Sequence, residues 1–364
     1  MMNYLDSFRD KELVQGLARR IAELVRGREK PLVFMEVCGT HTMAIYQYGL
    51  RSLLPPEVKL ISGPGCPVCV TPNGYLDRAI ALSRLPDVII TTFGDMLRVP
   101  GSTSSLMVER AKGADIRVVY SPLDAVRIAA ANPAKRVVFL GVGFETTAPT
   151  VAGSILAAKA QGLSNYFVLA SHKTMPQPMA ILSADPDLSV DGYICPAHVS
   201  AIIGADAYRF LCTEYQVPCV VTGFEPTDVM QGVEMLARQA LQGESRVEIQ
   251  YSRVVSREGN AKAQGVLAEV FTPFDAPWRG IGVLPGSGLR IADAYSEFDA
   301  ELAIPVQVEE LKEHQGCLCG EILKGKVAPG DCPLFGGKCT PESPVGACMV
   351  SSEGTCAAAF KYGR

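Results

Sequence analysis

The stretch "RVVFLGVGFETTAPTVAGSILAAKAQG", residues 136–162, decides the fold class. It opens on an apolar, β-branched run with no polar alternation after Arg136, the pattern of a strand buried on both faces. Gly-Phe-Glu-Thr-Thr breaks that run, and a helical pattern of small and apolar residues follows. The same three-part unit recurs along the middle of the chain. "PLVFMEV" (31–37) leads into "CGTHTMAIYQYGL", and "VKLI" (58–61) into "SGPGCPVC" and "YLDRAIALSRL". "DVIITTF" (87–93), "IRVVYS" (116–121), "YFVLAS" (166–171), "DGYIC" (191–195) and "PCVVTG" (218–223) each precede a loop and a helical segment. Short strands alternating with helices make βα units and parallel sheets.

Eight such units suit a closed barrel by number. Uneven helix lengths and faint internal similarity favour separate open sheets instead. "PDVIITTFGDMLRVPG" (86–101) resembles "VDGYICPAHVSAIIGA" (190–205), and "GVGFETTAP" echoes "VTGFEPTDV". The expectation is an α/β protein with two similar open parallel-sheet domains, 55–140 and 141–235. Residues 1–54 and 236–364 are left for a third, α+β unit ending in a tail, 317–364.

The bulk composition bounds the function. Of 364 residues, 48% are hydrophobic and 20% charged, enough to build cores and unlike a disordered chain. A formal net charge of −4 with no basic block argues against nucleic acid as the main partner. The start, "MMNYLDSFRDKELVQGLARR", is charged and amphipathic rather than a secretory leader. No apolar run has the length of a membrane span. A cytoplasmic location is therefore expected, where twelve cysteines point to metal binding or thiol chemistry rather than a disulfide scaffold.

Four of those cysteines lie in the Gly- and Pro-rich tail. Cys332, Cys339, Cys348 and Cys356 are separated by six, eight and seven residues. The tail has little periodic hydrophobicity and is expected to need a staple. Four thiolates on loops suit an iron–sulfur cluster or a zinc ion. Zinc knuckles bring cysteines in close pairs, which these four lack, so a four-iron cluster is preferred. Cys317 and Cys319, in "GCLCG", read as spare ligands, a local redox pair or small turn residues.

Other thiols fall at strand ends, where α/β sheets collect ligands. Cys38 follows "LVFMEV", with Thr40 and His41 close behind and a helix expected from about Thr42. At a helix N-terminus a thiol pKa of about 8.5 can fall to roughly 3.5–7.5, giving a nucleophile or soft metal ligand. A buried strand-end cysteine is an equal reading of the spacing. Cys66 and Cys69 form a Cys-Pro-Val-Cys frame at the end of the next unit, suited to reversible disulfide chemistry. Asp95, Glu145, His172, Lys173, His198, Glu225 and Asp228 occupy comparable positions. Each alone reads more readily as a helix cap or loop anchor than as a catalyst. Cys195, Cys212 and Cys219 sit in or beside apolar runs and read as core. No dinucleotide fingerprint or Walker loop is present.

Taken together, "CGTHT" (38–42), "GPGCPVCVTP" (63–72), "TTFGDMLRVPGS" (91–102), "GFETTAPT" (143–150), "GFEPTD" (223–228) and "CPLFGGKCTPESPVGACMVSSEGTCAA" (332–358) resemble the HypD family of hydrogenase maturation proteins. "GYICPAHVS" departs from that pattern, where Pro-Gly is expected before His198. The resemblance implies two α/β domains in a pseudo-twofold relation and a third carrying a 4Fe-4S cluster. It implies a scaffold on which the Fe(CN)2CO unit of nickel–iron hydrogenases is built, working with a HypC chaperone and receiving cyanide from HypE. By the same resemblance, Cys38 helps hold the nascent iron, Cys66 and Cys69 are a redox pair near the cleft, and Cys332, Cys339, Cys348 and Cys356 bind the cluster. From position alone, His41, three residues beyond Cys38, could orient or protonate a ligand, and Thr40, Asp95, Glu145, His172, His198 and Glu225 are candidates to line a shared cleft. The competing reading is a free-standing, cluster-dependent disulfide reductase. A zinc-stapled binding protein without redox function is a third.

Overall fold

A computed structural model describes residues 8–310 and 314–363. The strands among them are β1 (Leu32–Glu36), β2 (Val58–Ser62), β3 (Val88–Thr92), β4 (Ile116–Val118), β5 (Arg136–Gly143), β6 (Tyr166–Lys173), β7 (Gly192–Pro196), β8 (Cys219–Thr222), β9 (Val247–Ile249), β10 (Phe271–Trp278) and β11 (Gly282–Ile291). They form two open sheets. One has the order β2-β1-β7-β8-β9, all parallel. The other has the order β10-β11-β6-β5-β3-β4, parallel from β6 to β4, with the β10–β11 hairpin added antiparallel. Counted within each sheet, the first four parallel strands follow the same order, 2-1-3-4. The duplicated α/β layout read from the sequence is thus matched by two sheets of like topology.

The sheets do not follow the expected boundaries. β2 and β3 both fall within 55–140 but enter different sheets, as do β6 and β7 within 141–235. Residues 1–54 contribute β1 to the first sheet, which also holds β9 of 236–364, and helix Gly39–Gln47 packs on helix Thr355–Tyr362, while residues 271–291 extend the second sheet. Strand pairing joins residues distant in sequence, so a contiguous unit of βα rhythm need not be a spatial unit. The chain crosses between sheets after β2, after β6 and after β9. The first crossing is the Cys-Pro-Val-Cys segment itself.

Each sheet buries its faces with helices. In Lys11–Val25, Val14, Leu17, Ile21 and Val25 are buried at helical spacing, and the helix packs with Pro226–Gln242 over the first sheet. Burying each such side chain stabilises the fold by roughly 1.5–3 kcal/mol. Asp10 caps that helix by accepting from the amides of Glu12 and Leu13. β5 is central to the second sheet, and every residue after Arg136 is buried, as its unbroken apolar run requires. A further core lies between the sheets. It contains Cys66, Cys69, Phe144, Met175, Tyr193 and Trp278, together with the tail cysteines and Met349. The tail is therefore not without burial. Its apolar partners come from both sheets, which its own sequence does not reveal. Among the described residues, no helix is long and apolar enough to cross a membrane.

Candidate functional site

In each sheet, the strand order reverses between its first and third strands, and ligands of open α/β sheets bind in the crevice at that point. In the first sheet the crevice lies between the ends of β1 and β7, which carry Cys38 and His198. In the second it lies between β3 and β5, followed by Asp95 and Glu145.

Cys38 is the N-cap of helix Gly39–Gln47, which starts three residues earlier than expected. The thiol is not acidified. Burial, and next the carboxylate of Glu353, push its pKa up to about 12, outweighing the amides of His41 and Thr40. The helix terminus acts, but without water its effect is smaller than desolvation. Two loops close on Cys38. The Gly39 amide donates to the Gly65 carbonyl at 2.9 Å, and a Cβ on Gly65 would lie 2.3 Å from the Cys38 nitrogen. From the tail, Glu353 Oε1 accepts from Thr40 Oγ1 at 2.6 Å, and a Cβ on Gly39 would lie 2.5 Å from the Glu353 Cβ. Only glycine permits these approaches.

His41 is fully buried. Its Nε2 lies 3.2 Å and 3.0 Å from the carbonyls of Thr222 and Gly223, so Nε2 carries the proton and Nδ1 is the acceptor, without a partner in the structure. Burial lowers its pKa to about 4. The ring packs on Phe224 at 4.7 Å, and Phe224 packs on His198 at 4.2 Å. His41 thereby ties the Cys38 helix to the end of β8. His198 is exposed; burial of part of its ring lowers its pKa, and the charge of Glu353 opposes that shift.

Cys66 caps the short helix Pro67–Val70, with Pro67 at the first helical position, where a missing amide costs nothing. Cys66 and Cys69 are joined as a disulfide, with Cα atoms 5.3 Å apart. Both are buried, and Cys69 Sγ lies 3.9 Å from the carbonyl of Ala347. Ala347 immediately precedes Cys348, so one residue separates the dithiol from the tail thiols.

Those thiols share one small cavity, lined by Cys317, Cys319, Cys332, Cys339, Cys348 and Cys356 with Phe335 and Met349 among their neighbours. Cys319 Sγ lies 2.6 Å from Cys348 Sγ, and the Val345 amide donates to Cys339 Sγ at 3.3 Å. A Cβ on Gly354 would meet the Cys348 carbonyl at 2.2 Å. The segment from Cys348 to Glu353 thus runs from the sulfur-lined cavity to Cys38. Among the described residues, no three His, Cys, Asp or Glu side chains are grouped so as to hold a single metal ion. The tail presents a soft, all-sulfur donor set, which fits an iron–sulfur cluster.

Cys38, Thr40, His41, His198, Cys66, Cys69 and the tail are therefore brought together. The other candidates have local partners of their own, some of them at the margin of this cluster. Glu225 is held by a two-pronged contact from Arg9, at 2.6 Å and 2.8 Å, and buried Asp228 pairs with Arg253. Asp95 borders a groove with Arg98, Met43 and Phe360. Glu145 is buried, accepts from the Met175 amide at 2.9 Å, and is raised to about 7 by burial. His172 packs inside the second sheet against Phe271, ring centroids 5.3 Å apart, and neither ring nitrogen has a partner in the structure. Burial and the neighbouring Lys173 lower its pKa to about 3; Lys173 itself falls to about 8. Sequence reasoning missed Glu353 and Arg279. The signal for Glu353 was an acidic residue between two tail cysteines, in "SSEGTC".

His172 has a measurable consequence. It is neutral when folded and titrates near 6.5 when unfolded, so acid favours the unfolded chain. Its contribution is intact above pH 6.5 and is lost progressively as pH falls toward 3. The slope is about 1.4 kcal/mol per pH unit in that window. Urea titrations at pH 6.5 and pH 5 should give a smaller stability difference for His172→Phe than for the native chain. Equal differences would show that His172 is not buried in its neutral form.

A HypD family profile, described as "Hydrogenase formation hypA family", matches residues 12–363. The chain belongs to the HypD family. Similar proteins include hydrogenase maturation factor HypD2 of Bradyrhizobium diazoefficiens, 48% identical over 100% of this chain and 97% of that protein. HypD of Escherichia coli K12 is 45% identical over 99% and 98%, and HypD of Rhizobium leguminosarum bv. viciae is 47% identical over 100% and 96%. The chain is accordingly a hydrogenase maturation factor.

Proposed function

We propose that the chain is the scaffold on which the Fe(CN)2CO unit of nickel–iron hydrogenases is assembled, with Cys38 as its anchor for the iron being built. The observation that carries this reading is the convergence of Cys38, the Cys66–Cys69 disulfide and the tail thiols through Gly65, Ala347 and Glu353. A HypC-type chaperone would complete the iron's ligand set at the crevice, and a HypE-type donor would deliver cyanide there. Soft thiolate suits an iron carrying cyanide and carbonyl. Because the Cys38 thiol holds its proton up to about pH 12, iron must displace that proton, and uptake should strengthen as pH rises.

The tail is assigned a 4Fe-4S cluster held by Cys332, Cys339 and Cys356 with a fourth thiol. Spacing nominates Cys348. The 2.6 Å approach of Cys319 to Cys348 favours these two as a pair, leaving Cys317 as the fourth. When bound, the cluster supplies single electrons. The chain's own part is to hold Cys66 and Cys69 within one residue of the tail thiols and shield them from water. A free-standing disulfide reductase would use the same disulfide and tail.

The test is anaerobic co-purification with a HypC-type partner, followed by iron and sulfide analysis and infrared spectroscopy. The expected result is iron in excess of the cluster and bands of metal-bound cyanide and carbonyl. Turnover of a disulfide substrate without a partner, with no such bands, supports the reductase. A colourless zinc protein defeats both.

A further inference from the structure

We propose that Arg279, at the tip of the β10–β11 hairpin, is the positioning residue that holds the Cys66–Cys69 segment against the cysteine-rich tail. The hairpin belongs to the second sheet, whereas the dithiol leaves the first, so the tip meets the chain where it crosses between them. Arg279 grips the residues following the dithiol at three points. Its amide donates to the Val70 carbonyl at 2.9 Å, its Nε donates to the Thr71 carbonyl at 2.9 Å, and its Nη2 donates to Asn73 Oδ1. A guanidinium offers donors in a rigid fork, which suits bonding to two successive groups on one loop.

The other side of the tip is fixed to the tail. Gly280 has φ +71° and packs directly on Gly320, next to Cys319. A Cβ at Gly280 would lie 2.3 Å from the Gly320 Cα, and one at Gly320 would lie 2.6 Å from the Gly280 carbonyl oxygen. Beside the tip, Trp278 is seated by donating to Ser287 Oγ at 2.8 Å and stacking with Phe144 at 6.1 Å. A rigid two-residue wedge therefore links the dithiol segment to the Cys319 segment. Loosening it would let the disulfide drift from Ala347, and displacements of about 1 Å in a reacting pair cost up to about a hundredfold in rate.

The inference rests on the redox relay proposed above. In that step the Cys66–Cys69 bond breaks, takes up two electrons and two protons, and yields two thiols. Two molecules of a one-electron donor, such as a reduced viologen, are each oxidised once.

The experiment follows Cys66 and Cys69 by alkylation and mass spectrometry in the anaerobic full-length protein. Reduction is driven in parallel by a reduced viologen and by a water-soluble phosphine, which attacks the disulfide directly. Arg279→Gln is expected to slow the viologen-driven reaction roughly tenfold. The phosphine reaction should be no slower, and Arg279→Lys should recover part of the viologen rate. Gly280→Ala, which separates the tip from Gly320 while keeping Arg279, should slow the viologen route likewise. Native viologen rates in both Arg279→Gln and Gly280→Ala would overturn the proposal. The underlying relay fails separately if viologen reduces the native disulfide no faster than that of the cluster-deficient Cys339→Ser chain.

Discussion

Replacing Cys38 with alanine is expected to abolish the infrared bands of iron-bound cyanide and carbonyl in the complex with a HypC-type partner. The iron and sulfide of the tail should remain. Cys38 is buried at the end of β1, with Gly65 on one side and Glu353 on the other. The remaining neighbours are poor substitutes for a thiolate. Thr40 is bonded to Glu353, and His41, tied through Nε2 to the end of β8, has only the harder imidazole nitrogen Nδ1 to offer. Changes to groups that merely support metal ligands typically cost about 10–100-fold, so removing the ligand itself should cost more. The fold should survive, because truncating one small buried side chain costs about 1 kcal/mol. Bands of native intensity in Cys38→Ala would remove Cys38 from the iron site and the assembly reading with it.

The second large effect concerns the tail. Cys339→Ser should lose nearly all cluster iron and sulfide and render residues 316–363 sensitive to proteolysis. Metal-stapled segments draw their folding free energy from the metal. The tail buries apolar side chains of its own, Ile322, Leu323, Leu334, Met349 and Val350 among them, but most of these pack in one cluster with the cysteines, so their packing depends on what holds the thiols. Cys317→Ser and Cys348→Ser then discriminate between the two ligand sets. If Cys319 and Cys348 are a pair, Cys317→Ser loses the cluster and Cys348→Ser keeps it. The reverse pattern restores the set read from spacing. Full iron and sulfide in Cys339→Ser would exclude the cluster assignment at that residue.

Much of this was visible in the chain itself. Runs such as "RVVFLGVG" can be soluble only if covered on both faces, so β5 and its parallel neighbours follow from composition and period. The strings around Cys38, Cys66 and the tail identified the family. Other positions show where local rules are insufficient. Spacing left Cys38 equally readable as an acidified thiol or a buried strand-end cysteine, and burial with Glu353 raises its pKa, in line with the second. His172 looked like a cleft residue from its strand-end position, yet its ring lies in the core of the second sheet. Glu225, read more readily as a cap or anchor than as a catalyst, is the N-cap of helix Pro226–Gln242, and Arg9, 216 residues away, occupies both of its carboxylate oxygens.

The sequence by itself determined the βα rhythm, the positions of the cysteines and the family, because periodicity and side-chain type are properties of short segments. Only the tertiary structure decided which strands share a sheet, that the Cys-Pro-Val-Cys segment is a crossing between sheets, and that Glu353 and Arg279 reach the two thiol sites. Those outcomes depend on pairing between residues tens to hundreds of positions apart, where hydrogen bonding and exclusion of water select the partners. Charge states follow the same logic, since a thiol's pKa is set by what is buried around it rather than by its neighbours along the chain.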